Sequence, residues 1–236
     1  MRIWVARPEP GASRTAERLA ALGHRPLVAP VLTVRPTGAS LPQGAVDAIL
    51  LTSANALAAL LATTEVSSLQ GIPVFAVGAR TAALALRARL GPVEAGAGDA
   101  AALAVLIAAR LRPGARLLHV AGAERKAEPA ATLSAAGYAF ETLVAYAAEP
   151  LAHLPEAAAA ALGAKPPGLD AALHYSRRSA TVALELAQGA GQGGAFRALR
   201  HYCLSDDVAA ALETSGITAR FVAARPREDD LLAGLS

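Results

Sequence analysis

At 236 residues the chain is long enough for one large domain or two small ones, and with 54% apolar and 17% charged residues it can build cores and is not disordered. A formal charge of +3 tolerates an acidic small ligand, but no Lys/Arg stripe interleaved with aromatics argues for nucleic acid as a partner. The single cysteine, Cys203, excludes an intramolecular disulfide and fits a reducing cytosol. Charge and proline within the opening MRIWVARPEPG are unlike a signal peptide, and no apolar run reaches the roughly 20 residues that span a bilayer. A soluble, cytoplasmic protein with no membrane partner is expected.

Residues 2–7 read as a short apolar strand stopped by Pro8 and Pro10. A helix pattern follows over 12–22, with Leu19 and Leu22 on one face and Gly23 as its stop. Strands are expected at 24–29 and 31–35, and the Pro/Gly-rich stretch 36–44 reads as a link. From Val46 the chain alternates: strand 46–51, helix 54–63, strand 74–77, helix 79–90, a short strand near Val93, helix 100–111, strand 116–120, helix 128–137 and an extended run 138–146. Asp99 is placed to cap the helix after it. After Glu149-Pro150 come helix 154–162, strand 170–174, helix 178–187, strand 201–204, helix 206–214, strand 219–223 and helix 228–235. Such alternation with apolar strands marks parallel sheets covered on both faces, an α/β fold.

One motif occurs twice. Asp47-Ala48-x-Leu50-x-x-Ser53 returns as Asp170-Ala171-x-Leu173-x-x-Ser176, each time as a strand end running into a helix. Val77-Gly78-x-x-x-Ala82-Ala83 is echoed by Leu204-Ser205-x-x-x-Ala209-Ala210. Two similar lobes are therefore expected. The second block lacks an equivalent of the opening strand-helix-strand, so the N-terminal unit is assigned to the C-terminal half. A strand end leading into a helix N-terminus presents free N–H groups and a positive dipole end, which suits an anionic ligand. The turns at Ser53 and Ser176 are expected to face a shared acidic molecule.

Other motifs carry less. Gly189–Gly194 fits G-x-G-x-x-G but follows a helix pattern, so it is read as a flexible loop and not a dinucleotide fingerprint. The histidines, His24, His119, His153, His174 and His201, have no metal-ligand spacing, and no metal is expected. His119, His174 and His201 fall on or at the ends of strands, as surface or hydrogen-bonded structural groups. Ser53 and Ser176 lack a nucleophile-elbow context, and Cys203 reads as inert packing. Arg7 ends the first strand, where it either clamps a carboxylate or meets solvent. Thr81 either bonds within its helix N-terminus or contacts a ligand. Tyr146, at the return point, is either a packing residue or a functional phenol.

In order and spacing, these residues resemble the uroporphyrinogen-III synthase family over nearly the whole chain. The resemblance runs through Val5-Ala6-Arg7-Pro8, Leu22-Gly23-His24, Pro30, Leu51-Thr52-Ser53-Ala54-Asn55-Ala56 and Phe75-Ala76-Val77-Gly78-x-x-Thr81-Ala82. It continues through Val144-Ala145-Tyr146, Tyr175-Ser176 and Ala224-Arg225-Pro226. It implies two parallel-sheet α/β lobes joined by a two-stranded connector, the first lobe (1–34 and 151–236) discontinuous, the second 42–143, and the connector 35–41 and 144–150.

The resemblance also implies a reaction without cofactors: the linear tetrapyrrole hydroxymethylbilane loses water and closes to uroporphyrinogen III with its last ring inverted. Tyr146 is then the expected general acid, since a phenol stays protonated at neutral pH, with Thr81 as the second catalytic residue, orienting substrate together with Ser53. Arg7, Ser53, Ala54, Asn55, Gly78, Ser176, Arg177, Arg178 and Ser205 are expected to hold the substrate carboxylates, and the protein is expected to be a monomer. Two departures stand out. Asn55 occupies a position where the family often has a basic residue, and Leu204-Ser205-Asp206-Asp207 replaces the usual small Gly/Thr-type turn. The competing readings are a non-catalytic two-lobed binding protein for an acidic small molecule and a nucleotide-dependent transferase, the latter weakened by the missing phosphate loop.

Overall fold

The computed structural model describes residues 1–63, 66–125 and 127–235. By internal contacts they divide into two compact units, Met1–Thr33 with Glu149–Ser236 and Val34–Ala148.

In chain order the structure opens with β1 (Arg2–Val5), α1 (Gly11–Ala21), β2 (Arg25–Val28) and β3 (Leu32–Pro36). It continues with β4 (Ala48–Leu51), α2 (Ala54–Thr63), a 3-10 turn at Val66–Leu69, β5 (Val74–Ala76), α3 (Ala79–Arg87) and β6 (Val93–Ala95). Next are α4 (Ala100–Ala108), β7 (Arg116–Gly122), α5 (Ala130–Ala135) and the long β8 (Ala139–Pro150). The chain ends with α6 (Glu156–Gly163), β9 (Ala171–His174), α7 (Arg177–Gly189), α8 (Gly193–Arg197), β10 (Arg200–Cys203), α9 (Asp206–Glu213), β11 (Phe221–Val222) and α10 (Glu228–Ala233).

The first unit holds a five-stranded sheet in the order β11-β10-β9-β1-β2, with every neighbouring pair parallel. Its discontinuity is visible in the register: β1 lies between β2 and β9, with Ile3 opposite Ala171 and Val5 opposite Leu173. Side chains alternate across the sheet. Ile3, Val5 and Leu173 face one layer with Leu19 and Leu231, while Trp4 faces the other and meets Phe196 edge-on at 5.8 Å. Gly23 follows α1 with φ +78°, a conformation that glycine adopts at no steric cost, and the next N–H, of His24, turns back to the Leu19 carbonyl at 2.9 Å.

The second unit holds a six-stranded sheet in the order β3-β8-β7-β4-β5-β6. The β8–β7, β7–β4, β4–β5 and β5–β6 pairs are parallel. The all-apolar β4 is buried on both faces: Ile49 and Leu51 pack with Leu57 and Leu60 of α2, and Ala48 and Leu50 with Leu103 and Ile107 of α4. Each such leucine contributes about 1.5–3 kcal/mol relative to exposure.

One expectation is corrected. The stretch 189–194 is not a loop throughout, because Gly193 and Gly194 begin α8. The reason is tertiary. Phe196 is fully buried against Trp4, His174 and His201, which fixes the turn of helix that carries it. His119, His174 and His201 lie inside the protein, not on its surface, exposed by 2% or less. His201 Nε2 donates to the Phe196 carbonyl at 3.0 Å, so its Nδ1 accepts from His174 Nε2 at 2.9 Å. Burial, with the neighbouring His201, holds His174 at about 3, and burial holds His201 at about 4 despite the Phe196 carbonyl. Cys203 is fully buried, its thiol pushed up to about 12 by burial and then by Glu213, as an inert packing group requires.

Candidate active site

Parallel strands deliver their connecting turns to the carboxyl edge of the sheet, where open α/β sheets bind ligands. In the second unit this edge gathers Thr52 and Ser53 after β4, Val77 and Gly78 after β5, Gly122 at the end of β7, and Tyr146 within β8. Ser53 Oγ accepts the Ala56 N–H at 3.0 Å, capping α2, and lies 3.1 Å from the Tyr146 hydroxyl. Thr52 Oγ1 lies 3.1 Å from Nε2 of the buried His119 on β7. Burial, and then the charge of Arg125, holds the His119 imidazole neutral down to about 4.

Tyr146 reaches Ser53 because of an irregularity in the sheet. The β7–β8 register slips between Ala121 and Gly122, setting Gly122 opposite Tyr146. Ala123 N–H then closes on the Tyr146 carbonyl at 2.8 Å. A Cβ on residue 122 would stand 2.7 Å from Tyr146 Cζ, so only glycine leaves room for the ring.

Ala54 and Asn55, both partly exposed, form the first turn of α2, whose leading N–H groups have no intrahelical partner. Gly78 is an extended N-cap of α3 without a side-chain cap, so the N–H groups of that helix start stay open. Thr81 is only 6% exposed, in the first turn of α3. Asp99 caps α4 as expected, accepting the Ala102 N–H at 2.8 Å.

The carboxyl edge of the first unit is organised differently. Ser176 Oγ caps the 13-residue α7 by accepting the Ser179 N–H at 3.2 Å. Arg177 pairs with Asp207 at 2.8 Å, so the charge of one of the two unexpected aspartates is neutralised locally. Ser205 is the extended N-cap of α9 and makes no side-chain cap bond.

Arg7 does not simply meet solvent here. Its guanidinium lies 3.9 Å above the centre of the Tyr175 ring and 3.3 Å from Glu228 Oε1. Glu228, at the start of α10, also accepts from Thr15 at 2.5 Å, from Tyr175 at 2.7 Å, and from Arg18 at 2.9 Å through its other oxygen. Burial alone would raise this carboxyl, but the hydrogen bonds from Thr15, Tyr175 and Arg18, with the Arg7 charge, outweigh it and hold the group below its ordinary value. Burial and the Glu228 carboxylate push the Tyr175 phenol up, so it stays protonated. Sequence reasoning missed Thr15, Arg18, Tyr175 and Glu228 as a set, and no local signal joins positions so far apart.

The family model described as uroporphyrinogen-III synthase HemD matches residues 13–233. The chain belongs to the uroporphyrinogen-III synthase family. A structure of uroporphyrinogen-III synthetase from Helicobacter pylori is 17% identical, with a TM-score of 0.66 over 98% of this chain and 96% of that one. A mutant uroporphyrinogen III synthase from the extremely thermophilic bacterium Thermus thermophilus is 21% identical, with a TM-score of 0.52 over 100% of this chain and 97% of that one. At these identities the likeness establishes the shared fold. No curated protein matches the sequence. No helix among the described residues is long and apolar enough to cross a membrane, and no cluster among them is arranged to hold a metal ion.

Proposed function

We propose that this chain cyclises hydroxymethylbilane to uroporphyrinogen III, releasing water, with Tyr146 as the acid that assists departure of the terminal hydroxyl. The observation that carries this reading is the 3.1 Å contact between Ser53 Oγ and the Tyr146 hydroxyl at the carboxyl edge of the second unit. Ser53 already accepts from Ala56 N–H. With its own hydrogen given to Tyr146, the phenol proton is left for the substrate.

The chemistry asks little of the acid. The pyrrole nitrogen pushes electrons toward the hydroxymethyl carbon, the C–O bond breaks, and the departing oxygen takes the Tyr146 proton as water. The substituted carbon of the last ring then attacks the electrophilic methylene to give a spiro intermediate. Its rearrangement inverts the ring and closes the macrocycle. Holding the flexible chain so that this carbon attacks first is the larger share of the task, an orientational one. The N–H groups at Ala54, Asn55 and Gly78 and the Ser53 hydroxyl suit the substrate carboxylates. Thr81, being buried, is assigned to supporting the start of α3. In the first unit, taken by itself, Ser176 and Ser205 stand at helix starts of the same kind, with Arg177 and Arg178 in the first turn of α7, while Arg177 is paired with Asp207 and Arg7 is engaged by Glu228.

The test is to supply hydroxymethylbilane to the purified protein and separate the type I and type III isomers of the product. Type III product is expected from the wild type. Tyr146→Phe should reduce its formation by roughly a hundredfold or more. Type I product alone would overturn the proposal and leave the binding-protein reading.

A further inference from the structure

We propose that His119 is a positioning residue: it holds Thr52 so that the Thr52 hydroxyl donates a hydrogen bond to a substrate carboxylate at the edge marked by Ser53 and Tyr146. The inference rests on the cyclase reading above and assigns work to two residues outside its acid-and-holder set.

His119 is 2% exposed, and its ring packs at 5.5 Å from Phe140. Its Nδ1 is shut away from solvent with no hydrogen-bond partner, while Nε2 sits 3.1 Å from Thr52 Oγ1. A neutral imidazole carries one proton. Placed on Nδ1, it would make an orphaned buried N–H, the rarer and less tolerated kind of unmet polar group. Placed on Nε2, it is donated to Thr52. The tautomer is therefore Nε2–H, and the imidazole is the donor in this pair.

That choice fixes what Thr52 does. A hydroxyl has one hydrogen to give and two lone pairs. With one lone pair filled by His119, the Thr52 hydrogen turns away from the ring. Among the described residues no acceptor takes it, and Thr52 is partly exposed just beyond the end of β4, one residue before Ser53. An outward, pre-oriented O–H beside the free N–H groups of the α2 start fits a carboxylate. It supplies a neutral donor next to Asn55, where this chain has no basic side chain. Without His119 the Thr52 hydroxyl would rotate freely, and that preorganisation would be lost.

The experiment measures KM and kcat for type III formation in the wild type, Thr52→Val, His119→Leu and the double variant, with urea unfolding of each. Thr52→Val, which keeps shape and removes the hydroxyl, should raise KM about tenfold with kcat nearly unchanged, as expected for a lost hydrogen bond to a charged group. His119→Leu should raise KM in the same direction, and in the double variant it should add nothing to the effect of Thr52→Val. Wild-type KM in Thr52→Val, or losses that multiply in the double variant, would overturn the proposal. Should His119→Leu fail to fold, His119→Gln, which restores a donor near the position of Nε2, takes its place. A KM below that of Thr52→Val then supports the inference, and one equal to it counts against it. A wild type that makes no type III product at all would instead sink the cyclase reading.

Discussion

Gly122 and Tyr146 face each other so closely that a methyl group on residue 122 would lie 2.7 Å from Tyr146 Cζ and 3.0 Å from its hydroxyl. The glycine is thus part of what aims the phenol. Gly122→Ala should push the ring off Ser53 and lower type III turnover by roughly a hundredfold, the scale of a misplacement of about 1 Å. The urea midpoint should change little, because the strand remains. Wild-type turnover in Gly122→Ala would show that the ring does not need its present place.

Glu228→Gln separates the charge at this position from its shape. The amide oxygen can still accept from Thr15 and Tyr175, but Arg7 loses its counter-ion and Arg18 keeps only Asp229. A stability loss of about 1–2 kcal/mol at neutral pH is expected. The sign with pH follows from the lowered carboxyl. The contribution is present above the unfolded value and is lost as pH falls through the folded value. Urea midpoints of wild type and variant should therefore converge in acid, and a gap that persists there would contradict the charge argument.

The three buried histidines predict the acid limb of stability. His119 and His201 are held at about 4 and His174 at about 3, against an ordinary 6.5. The unfolded chain therefore binds more protons between those values. Stability is full above about pH 6.5 and falls as pH drops toward 4, by up to about 1.4 kcal/mol per pH unit for each histidine. Proton NMR of the imidazole signals should show all three neutral at pH 5 in the folded protein. Any of them titrating near 6.5 would refute the assignment.

Phe196→Ala tests what holds α8 in place. The side chain is fully buried between Trp4, His174 and His201, and its own carbonyl accepts from His201. A cost of about 3–5 kcal/mol is expected, read as a lower urea midpoint at unchanged slope. A loss under about 1 kcal/mol would mean that α8 stands without its anchor.

Helices and strands were legible wherever local chemistry decides them. The apolar run at 46–51 reads as a buried strand, and β4 (Ala48–Leu51) proves buried on both faces. Gly23 reads as a helix stop, and Asp99 as a cap. Ser53 and Ser176 stand where strand gives way to helix, and both prove to cap the helices that follow. These features depend on a residue and its near neighbours, so one sequence contains them.

What the sequence withheld depends on contacts between distant positions. The stretch 189–194 has loop composition, yet Gly193 and Gly194 are helical because Phe196 finds a pocket built from residues 4, 174 and 201. Arg7 can be read as a clamp for a ligand, but whether it is already occupied is decided by Glu228, more than two hundred positions away. The pairing of Ser53 with Tyr146 needs the slip between Ala121 and Gly122, and the Thr52–His119 bond needs β4 beside β7. The sequence by itself determined the alternation of strands and helices and the capped turns at Ser53 and Ser176, because hydrophobic period and capping chemistry are local. Only the tertiary structure decided which polar groups satisfy one another and which remain open to a substrate, because a buried donor or acceptor takes whatever partner the fold brings within reach.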